Sequence, residues 1–234
     1  TLRQGESLGL VGESGCGKST LTRAILGLEE TQGGSIRLDG AEIRAGGMTP
    51  ALRAKMQVVF QDPYGSFNPR WKVGRLVAEP FHLVPTPQAE QHERVAQALT
   101  EVGLRPEDAQ KYIHEFSGGQ RQRIAIARAL IVRPRLIVLD EAVSALDVRV
   151  RAQILDLLAD LQASHGLSYL FISHDLHVVR AITDRVMVMQ SGQIVEQGQT
   201  ETVFSAPQHP YTRQLIAATP VIPSEWMQDN DTLV

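Results

Sequence analysis

The stretch from Gly12 to Ser19 has the composition and spacing of a phosphate-binding loop, G-x-x-x-x-G-K-[ST]. An apolar run precedes it and a helical pattern follows it, which is the context that such a loop requires. Glycines let backbone N–H groups turn toward phosphate oxygens, and the helix N-terminus adds partial positive charge. Lys18 is therefore predicted to reach the β- and γ-phosphates of a bound nucleotide, and Ser19 to bind Mg²⁺. The predicted nucleotide contacts in this loop are Gly12, Ser14, Gly15, Cys16, Gly17, Lys18, Ser19 and Thr20.

Two adjacent carboxylates, Asp140 and Glu141, follow the apolar run Leu136–Leu139. We predict that Asp140 holds Mg²⁺ through its hydration shell and that Glu141 polarises the attacking water. Many strands end in solvated acids, so this pattern alone is weak. Combined with an upstream phosphate loop it becomes strong, because P-loop NTPases take an aspartate from this kind of strand.

Gln61 and His174 each follow a strand-like run, Met56–Phe60 and Tyr169–Ile172. Taken singly, each side chain is more often a polar strand end or a helix cap. In parallel α/β sheets, however, ligands bind outside the carboxyl ends of the strands. Both residues are therefore predicted to contact the γ-phosphate or Mg²⁺ and to take part in catalysis.

A second candidate phosphate site lies at a predicted helix start that runs to about Leu130. Ser117 is a natural N-cap, and the glycines after it leave backbone amides open to an anion. The alternative is an ordinary capped helix, which Ser-Gly-Gly alone would favour. The residues of this second site are Ser117, Gly118, Gly119 and Gln120.

Composition limits the remaining possibilities. The 234 residues are 43% apolar, with a formal net charge of -3, which argues against nucleic acid as a main partner. The single cysteine, Cys16, excludes an intrachain disulfide, and we interpret it as a spectator in the phosphate loop because phosphoryl transfer to water needs no thiol. No apolar run approaches the ~20 residues needed to span a bilayer.

The alternation of strand-like and helical patterns predicts an α/β fold with a mostly parallel sheet. The predicted fold is a P-loop NTPase core with an inserted helical subdomain. The core is expected at about 1–72 and 131–205, the helical subdomain at about 73–130 and a C-terminal tail at 206–234. Because Thr1 leads through Gln4-Gly5 directly into a strand, the first strands of a hairpin are expected to be missing.

The ordered set of motifs resembles the ABC ATPase family over nearly the whole chain. After the phosphate loop come Gln61, Ser117–Gln120, Asp140-Glu141, Ser144–Asp147 and His174. The resemblance implies an Mg-dependent ATPase that works as a dimer with a second ABC ATPase domain, identical or paralogous. Each ATP would lie between the phosphate loop of one domain and the Ser117–Gln120 helix of the other. The same resemblance implies that Asp147 communicates across the dimer and that Gln61 couples to transmembrane permease subunits.

Finer features resemble the peptide-importer branch of dipeptide, oligopeptide and microcin C type, namely the stretches Gln61–Arg70 and His209–Thr212. This implies a peripheral ATPase on the cytoplasmic face of the inner membrane, linked indirectly to a solute-binding protein and with no nucleic-acid partner. Nickel and glutathione importers share much of the pattern. Non-transport ABC ATPases of translation or DNA repair, and a non-catalytic nucleotide-binding module, are the alternatives.

The chain departs from the family pattern in three places. Ala142-Val143 follow Glu141 where many members have Pro-Thr, with little effect expected on the chemistry. The N-terminal strands that usually carry an aromatic residue stacking on adenine are absent, so nucleotide binding by this chain is expected to be weak and poorly selective for adenine. The cysteine cluster that holds an iron–sulfur centre in some peptide-importer ATPases cannot form with Cys16 alone.

Overall fold

Eight strands form two sheets in the computed structural model, which describes residues 1–218. The strands are β1 (Ser7–Val11), β2 (Ile36–Leu38), β3 (Ala41–Ile43), β4 (Met56–Phe60), β5 (Leu136–Asp140), β6 (Ser168–Ile172), β7 (Arg185–Gln190) and β8 (Gln193–Gln199). Six of them form one sheet in the order β4-β5-β6-β1-β7-β8, in which only β7 and β8 are antiparallel. The predicted mostly parallel sheet is confirmed.

The sheet register brings the carboxyl ends of four strands to one edge. Asp140 pairs with Phe60 on one side and with Ile172 on the other, and Ile172 pairs with Leu10. The residues that follow these strands, including Gln61 and the phosphate loop, therefore emerge at the same edge.

Alternate residues of the central strands enter two separate hydrophobic cores, one on each face of the sheet. In β6, Tyr169 and Phe171 belong to the first core, whereas Leu170 and Ile172 belong to the second. This explains why the central strands are apolar at every position rather than at every second one.

Nine α-helices lie within residues 1–218. They are α1 (Lys18–Ile25), α2 (Pro50–Lys55), α3 (Val73–Ala78), α4 (Gln88–Glu101), α5 (Gly118–Leu130), α6 (Val148–His165), α7 (Leu176–Ile182), α8 (Thr200–Ser205) and α9 (Pro210–Ala217). The predicted helical region between β4 and β5 contains α3, α4 and α5, which pack against one another around buried residues such as Leu76, Leu99 and Ile124. No helix among these residues is long and apolar enough to cross a membrane.

Local sequence signals account for several helix and strand ends. Asp39-Gly40 is a sequence typical of a hairpin turn, and it joins β2 to β3 with positive φ at both residues. The apolar pattern after the phosphate loop favours a helix from Lys18 to Leu28, but α1 is shorter because the chain turns at Gly27 with φ 66° and Leu28 is left 63% exposed.

The C-terminal part of the described chain is regular. The sequence pattern favours a strand at Gln193–Glu196, but β8 extends to Gln199, and α8 follows it. Within the predicted tail, the helical pattern near Tyr211–Ala218 corresponds to α9. The rest of the predicted tail, 219–234, lies outside the described residues.

Candidate nucleotide-binding site

The phosphate loop joins β1 to α1 and ends at an uncapped helix. Gly17 precedes α1 in a left-handed conformation, with φ 110°, and offers no side chain to the first helical amides. These amides have no intrahelical partner by helix geometry, so they remain available to an anion. Gly12 is equally constrained, since a Cβ there would lie 2.2 Å from the carbonyl oxygen of Met189. The loop is therefore built to bring backbone, not side chains, to its ligand.

Lys18 folds back over the loop from the first turn of α1. Its Nζ donates to the carbonyl oxygens of Gly12, at 2.7 Å, and Glu13, at 2.9 Å. The side chain is only 8% exposed, yet an ammonium has three donors, and the third has only the sulfur of Cys16 nearby, at 3.9 Å. Sulfur is a weak acceptor, so Lys18 keeps binding capacity for a phosphate oxygen.

Residues from four separate parts of the chain line one pocket of about 460 Å³ beside the loop. Those that belong to the predicted site are Ser14, Gly15, Gly17, Lys18, Ser19, Thr20, Gln61, Asp140, Glu141 and His174. A neighbouring pocket of about 430 Å³ shares Ser19, Gln61, Asp140 and Glu141 with it. A larger apolar groove of about 660 Å³ lies near the amino ends of the strands and contains none of the predicted residues.

The oxygen-bearing side chains in this pocket suit Mg²⁺. Ser19, Gln61 and Asp140 offer a hydroxyl, an amide carbonyl and a carboxylate, which are the hard ligands that this ion prefers. Burial and the neighbouring Glu141 carboxylate raise the pKa of Asp140, while Lys18 opposes them. Two carboxylates thus share the pocket with one ammonium where a cation would bind.

Glu141 has the least ordinary backbone in the pocket. Its φ is 54°, a value that non-glycine residues rarely adopt and that points to a functional constraint. Its amide donates to the carbonyl oxygen of Ile172, and its own carbonyl accepts from the hydroxyl of Ser144 at 2.8 Å. The carboxylate lies 2.9 Å from Nδ1 of His174. The turn therefore fixes both ends of the residue and directs its side chain to the histidine.

The second predicted phosphate site is separate from this pocket and caps itself. The hydroxyl of Ser117 accepts from the Gln120 amide at 3.4 Å, and Oε1 of Gln120 accepts from the Ser117 amide at 3.0 Å. This is a reciprocal capping box at the start of α5. Ser117, Gly118, Gly119 and Gln120 line neither pocket that contains Asp140.

Two residues of the predicted loop site face inward. Gly12 and Cys16 are buried and do not line the pocket, although Gly15 and Gly17 on either side of Cys16 do. Cys16 is 7% exposed and packs in the second hydrophobic core. A direct contact of Gly12 or Cys16 with a nucleotide therefore stays a prediction.

Contacts that hold the site from outside could not be predicted from the sequence. Arg128 of α5 donates to the carbonyl and hydroxyl of Ser66 and lies over the ring of Phe67, so α5 grips the loop that follows Gln61. Asp147, expected to act across a dimer, accepts from the Val150 amide at 2.9 Å and caps α6. The Arg128 contacts have no local motif, because Ser66 lies 62 positions away in the chain. The Asp147 cap, in contrast, is a local pattern of helix starts.

Comparison with known proteins identifies the family. A family model described as ABC transporter matches residues 1–144, and a second, described as Oligopeptide/dipeptide transporter, C-terminal region, matches 195–232. The glutathione import ATP-binding protein GsiA of Pectobacterium atrosepticum is 53% identical over 235 residues, covering 98% of this chain and 38% of that protein. GsiA of Escherichia coli K12 is 56% identical over 222 residues, covering 93% of this chain and 35% of that protein. The chain thus spans 35–38% of the length of these relatives.

Solved structures agree with this result. CbiO1 from Clostridium perfringens, part of the ABC transporter complex CbiONQ, matches with a TM-score of 0.80 and 31% identity, over 88% of this chain and 82% of that chain. An ATP-binding cassette in a dimeric post-hydrolysis state, bound to ADP and Pi, matches with a TM-score of 0.73 and 26% identity, over 86% of this chain and 88% of that chain. The chain belongs to the ABC transporter family and has the α/β fold of its ATP-binding domains.

Proposed function

We propose that this chain binds Mg-ATP at the Gly12–Thr20 loop and hydrolyses it to drive import of a solute. The observation that carries the proposal is the single pocket beside the loop. It combines an anion-binding helix start, oxygen ligands for a divalent cation and a carboxylate fixed next to a histidine. Burial and the adjacent Glu141 carboxylate raise the pKa of Asp140, so the arrangement carries an electrostatic cost to folding.

Each residue then has a distinct role. The amides at the start of α1 and the ammonium of Lys18 bind the phosphates, and Ser19, Gln61 and Asp140 hold Mg²⁺, which neutralises charge on the phosphates when bound. Glu141 accepts a hydrogen bond from the attacking water and orients it. His174 holds the Glu141 carboxylate in place and lies at the γ-phosphate side of the pocket.

The Ser117–Gln120 helix start completes the ATP site of a second ABC ATPase domain. Ser117, Gly118 and Gln120 are exposed, and the helix start lies outside the pocket of its own chain. Two such domains arranged head to tail would each supply a phosphate loop to one site and this helix to the other. The dimeric ATP-binding cassette with ADP and Pi is a supporting relative.

The transported solute is proposed to be a peptide or a peptide-like molecule. The C-terminal region match and the GsiA relatives favour import over translation or repair, and glutathione is itself a tripeptide. Permease subunits would receive the work of hydrolysis through the loop after Gln61. The chain would then act at the cytoplasmic face of the membrane, with a solute-binding protein on the other side.

The test compares Glu141→Gln with a matched control, Glu201→Gln. Glu201 is an exposed glutamate on α8 that pairs with Arg180 outside the pocket. We expect the first variant to bind Mg-ATP in calorimetry but to hydrolyse it about 10²–10⁴-fold more slowly. The control should match the unaltered chain in both assays. Failure of the unaltered chain to bind Mg-ATP would reject the proposal, and normal hydrolysis by Glu141→Gln would reject the role of Glu141.

A further inference from the structure

The C-terminal helix touches the phosphate loop directly. The backbone amide of Glu13, in the first turn of the loop, donates to the hydroxyl oxygen of Tyr211 at 3.0 Å. Tyr211 belongs to α9, 198 positions further along the chain, and is 6% exposed. Its ring packs in the first hydrophobic core, and this packing fixes the position of the hydroxyl.

The start of α9 is itself tied to the sheet. The carboxylate of Glu196, on β8, accepts from the amides of Gln208 at 2.8 Å and His209 at 3.0 Å. Nδ1 of His209 in turn accepts from the amide of Tyr211. Burial raises the pKa of Glu196, but these amide donors and Thr212 outweigh it and hold the pKa below its ordinary value. The chain that carries Tyr211 is thus anchored at both the backbone and the ring.

The Glu13 peptide is held from two directions. Tyr211 binds its N–H side, and Lys18 binds the carbonyl oxygen of the same residue at 2.9 Å. A third contact restrains the far end of the loop, where the Gly192 amide donates to the carbonyl oxygen of Cys16 at 2.8 Å. The first turn of the loop is therefore fixed by groups on α9 and α1, and its far end by the β7–β8 turn.

We propose that Tyr211 is a positioning residue for nucleotide binding, through which the C-terminal region sets the geometry of the phosphate loop. The inference rests on the proposed function of the loop. When Lys18 turns toward a phosphate, it loosens its hold on Glu13, and Tyr211 becomes the contact that keeps the first turn in place. Part of the His209-Pro210-Tyr211-Thr212 motif is explained in the same way: the amide of His209 binds Glu196, its ring accepts from the amide of Tyr211, and the hydroxyl of Tyr211 reaches the loop.

The simpler alternative is that Tyr211 is a core residue whose hydroxyl merely finds a partner. Tyr169 provides the control for this alternative. It is fully buried, and its hydroxyl donates to the backbone oxygen of Leu158 at 2.9 Å. It lies at the start of β6, at the opposite end of the sheet from the loop. Tyr169→Phe therefore removes a similar hydrogen bond without touching the loop.

The experiment uses the 234-residue chain and two readouts. The first is the affinity for Mg-ATP and for ADP, measured by calorimetry. The second is the maleimide labelling rate of Cys16 without nucleotide, which reports opening of the loop because Cys16 is the single cysteine and is buried. We expect Tyr211→Phe to weaken both affinities about 2- to 12-fold, the range for one ordinary hydrogen bond, and to speed labelling by a similar factor. Thermal denaturation of both variants shows that they fold.

The outcomes separate the inference from the proposed function. Faster labelling and weaker binding in Tyr211→Phe, with neither in Tyr169→Phe, support the inference. Equal effects in the two variants, or no effect of Tyr211→Phe, overturn it. If the unaltered chain binds no nucleotide, the proposed function fails, and the labelling rate still decides whether Tyr211 holds the loop.

Discussion

The chain contains two glycine-rich helix starts, and they differ in what satisfies their amides. At α1, Gly17 supplies no side chain, and the open amides lie in a pocket with Lys18. At α5, Ser117 and Gln120 cap the helix reciprocally, and neither lines that pocket. The amides at the start of α1 have no cap from a side chain, so an anion can bind them. The start of α5 is capped within the chain, and it is proposed to bind only a nucleotide held by another domain.

The charge around the two starts follows the same division. The α1 pocket collects Asp140, Glu141 and Lys18, and burial together with Glu141 raises the pKa of Asp140. The first turn of α5 carries no acidic residue and relies on a neutral cap. The proposed metal and phosphate site thus gathers charge that is unfavourable in the folded chain, whereas the α5 start does not.

The largest expected effect tests whether the α1 start of one chain and the α5 start of a second chain form a shared ATP site. Lys18→Ala removes the phosphate-binding charge, and Ser117→Arg places a bulky cation at the α5 start. Each variant alone is expected to lose about 10²–10³-fold in ATPase rate, by analogy with removal of a transition-state donor. Mixed together, they should recover activity, because a mixed dimer has one site with both residues intact. Steady-state phosphate release measures this.

A second mixture provides the control. Lys18→Ala and Glu141→Gln damage the same half of the shared site, so every site of their mixed dimer contains one damaged phosphate-loop side. Recovery of ATPase activity in this control mixture would contradict the shared site. The shared site would also be contradicted if a linked dimer of Lys18→Ala and Ser117→Arg bound ATP but completed no single turnover at its intact site.

The α1 start could be predicted from sequence because its signal is local. A loop of eight residues, the apolar run before it and the helix after it are all contiguous, and that apolar run is the strand Ser7–Val11. The strand-like runs Met56–Phe60 and Leu136–Leu139 are also strands, with little change in their bounds. The rule that ligands bind at carboxyl strand ends then places Gln61, Asp140 and His174 at the same pocket. Their chemical roles stay predictions.

What sequence reasoning missed depends on tertiary contacts. The hydrogen bond from Glu13 to Tyr211 joins residues 198 positions apart, and the grip of Arg128 on Ser66 joins residues 62 apart. The positive φ of Glu141 is also unpredictable, since glutamate has no preference for it. The end of α1 was misplaced because the apolar pattern continued past Gly27 to an exposed Leu28.

Protection of Cys16 by bound nucleotide tests the difference between the α1 and α5 helix starts, with a smaller expected effect. Cys16 is 7% exposed, so labelling requires the loop to open, and bound Mg-ATP stabilises the closed loop. At a nucleotide concentration of roughly ten times Kd, the maleimide labelling rate should fall about tenfold. Lys18→Ala should abolish the protection, whereas Ser117→Arg should retain it in the monomeric chain. Equal rates with and without Mg-ATP would place the nucleotide elsewhere.

Removing the α5 cap should destabilise the fold without affecting nucleotide binding. Ser117→Ala loses the acceptor for the Gln120 amide and is expected to lower the free energy of unfolding by about 1 kcal/mol. Ser117→Asn keeps a good cap and serves as the control, with a change of only a few tenths of a kcal/mol. Urea denaturation measures both. A large loss of Mg-ATP affinity in the monomeric chain would show that α5 contributes to the pocket of its own chain.

The smallest expected effect is a gain in stability, which a substitution in the α1 pocket should produce. The pKa of Asp140 is raised in the folded chain, first by burial and then by Glu141, so the ionised carboxylate is less favourable in the fold than in the unfolded chain. This penalty is absent at low pH and is fully present once the pH exceeds the folded pKa. Asp140→Asn should therefore raise the thermal midpoint of the nucleotide-free chain at pH 7, although it removes a ligand for Mg²⁺.

The pH dependence separates this explanation from better packing of the amide. Below a pH of about 3.9, the ordinary pKa of aspartate, Asp140 is protonated in both states, so the gain in Asp140→Asn should disappear. Asp160→Asn, at an exposed position on α6, should change neither midpoint and serves as the control. A gain that persists at low pH would assign the effect to packing, and a loss at pH 7 would contradict a charge penalty at Asp140. The two helix starts would then not differ in this respect, because the α1 pocket would carry no more unfavourable charge than the capped start of α5.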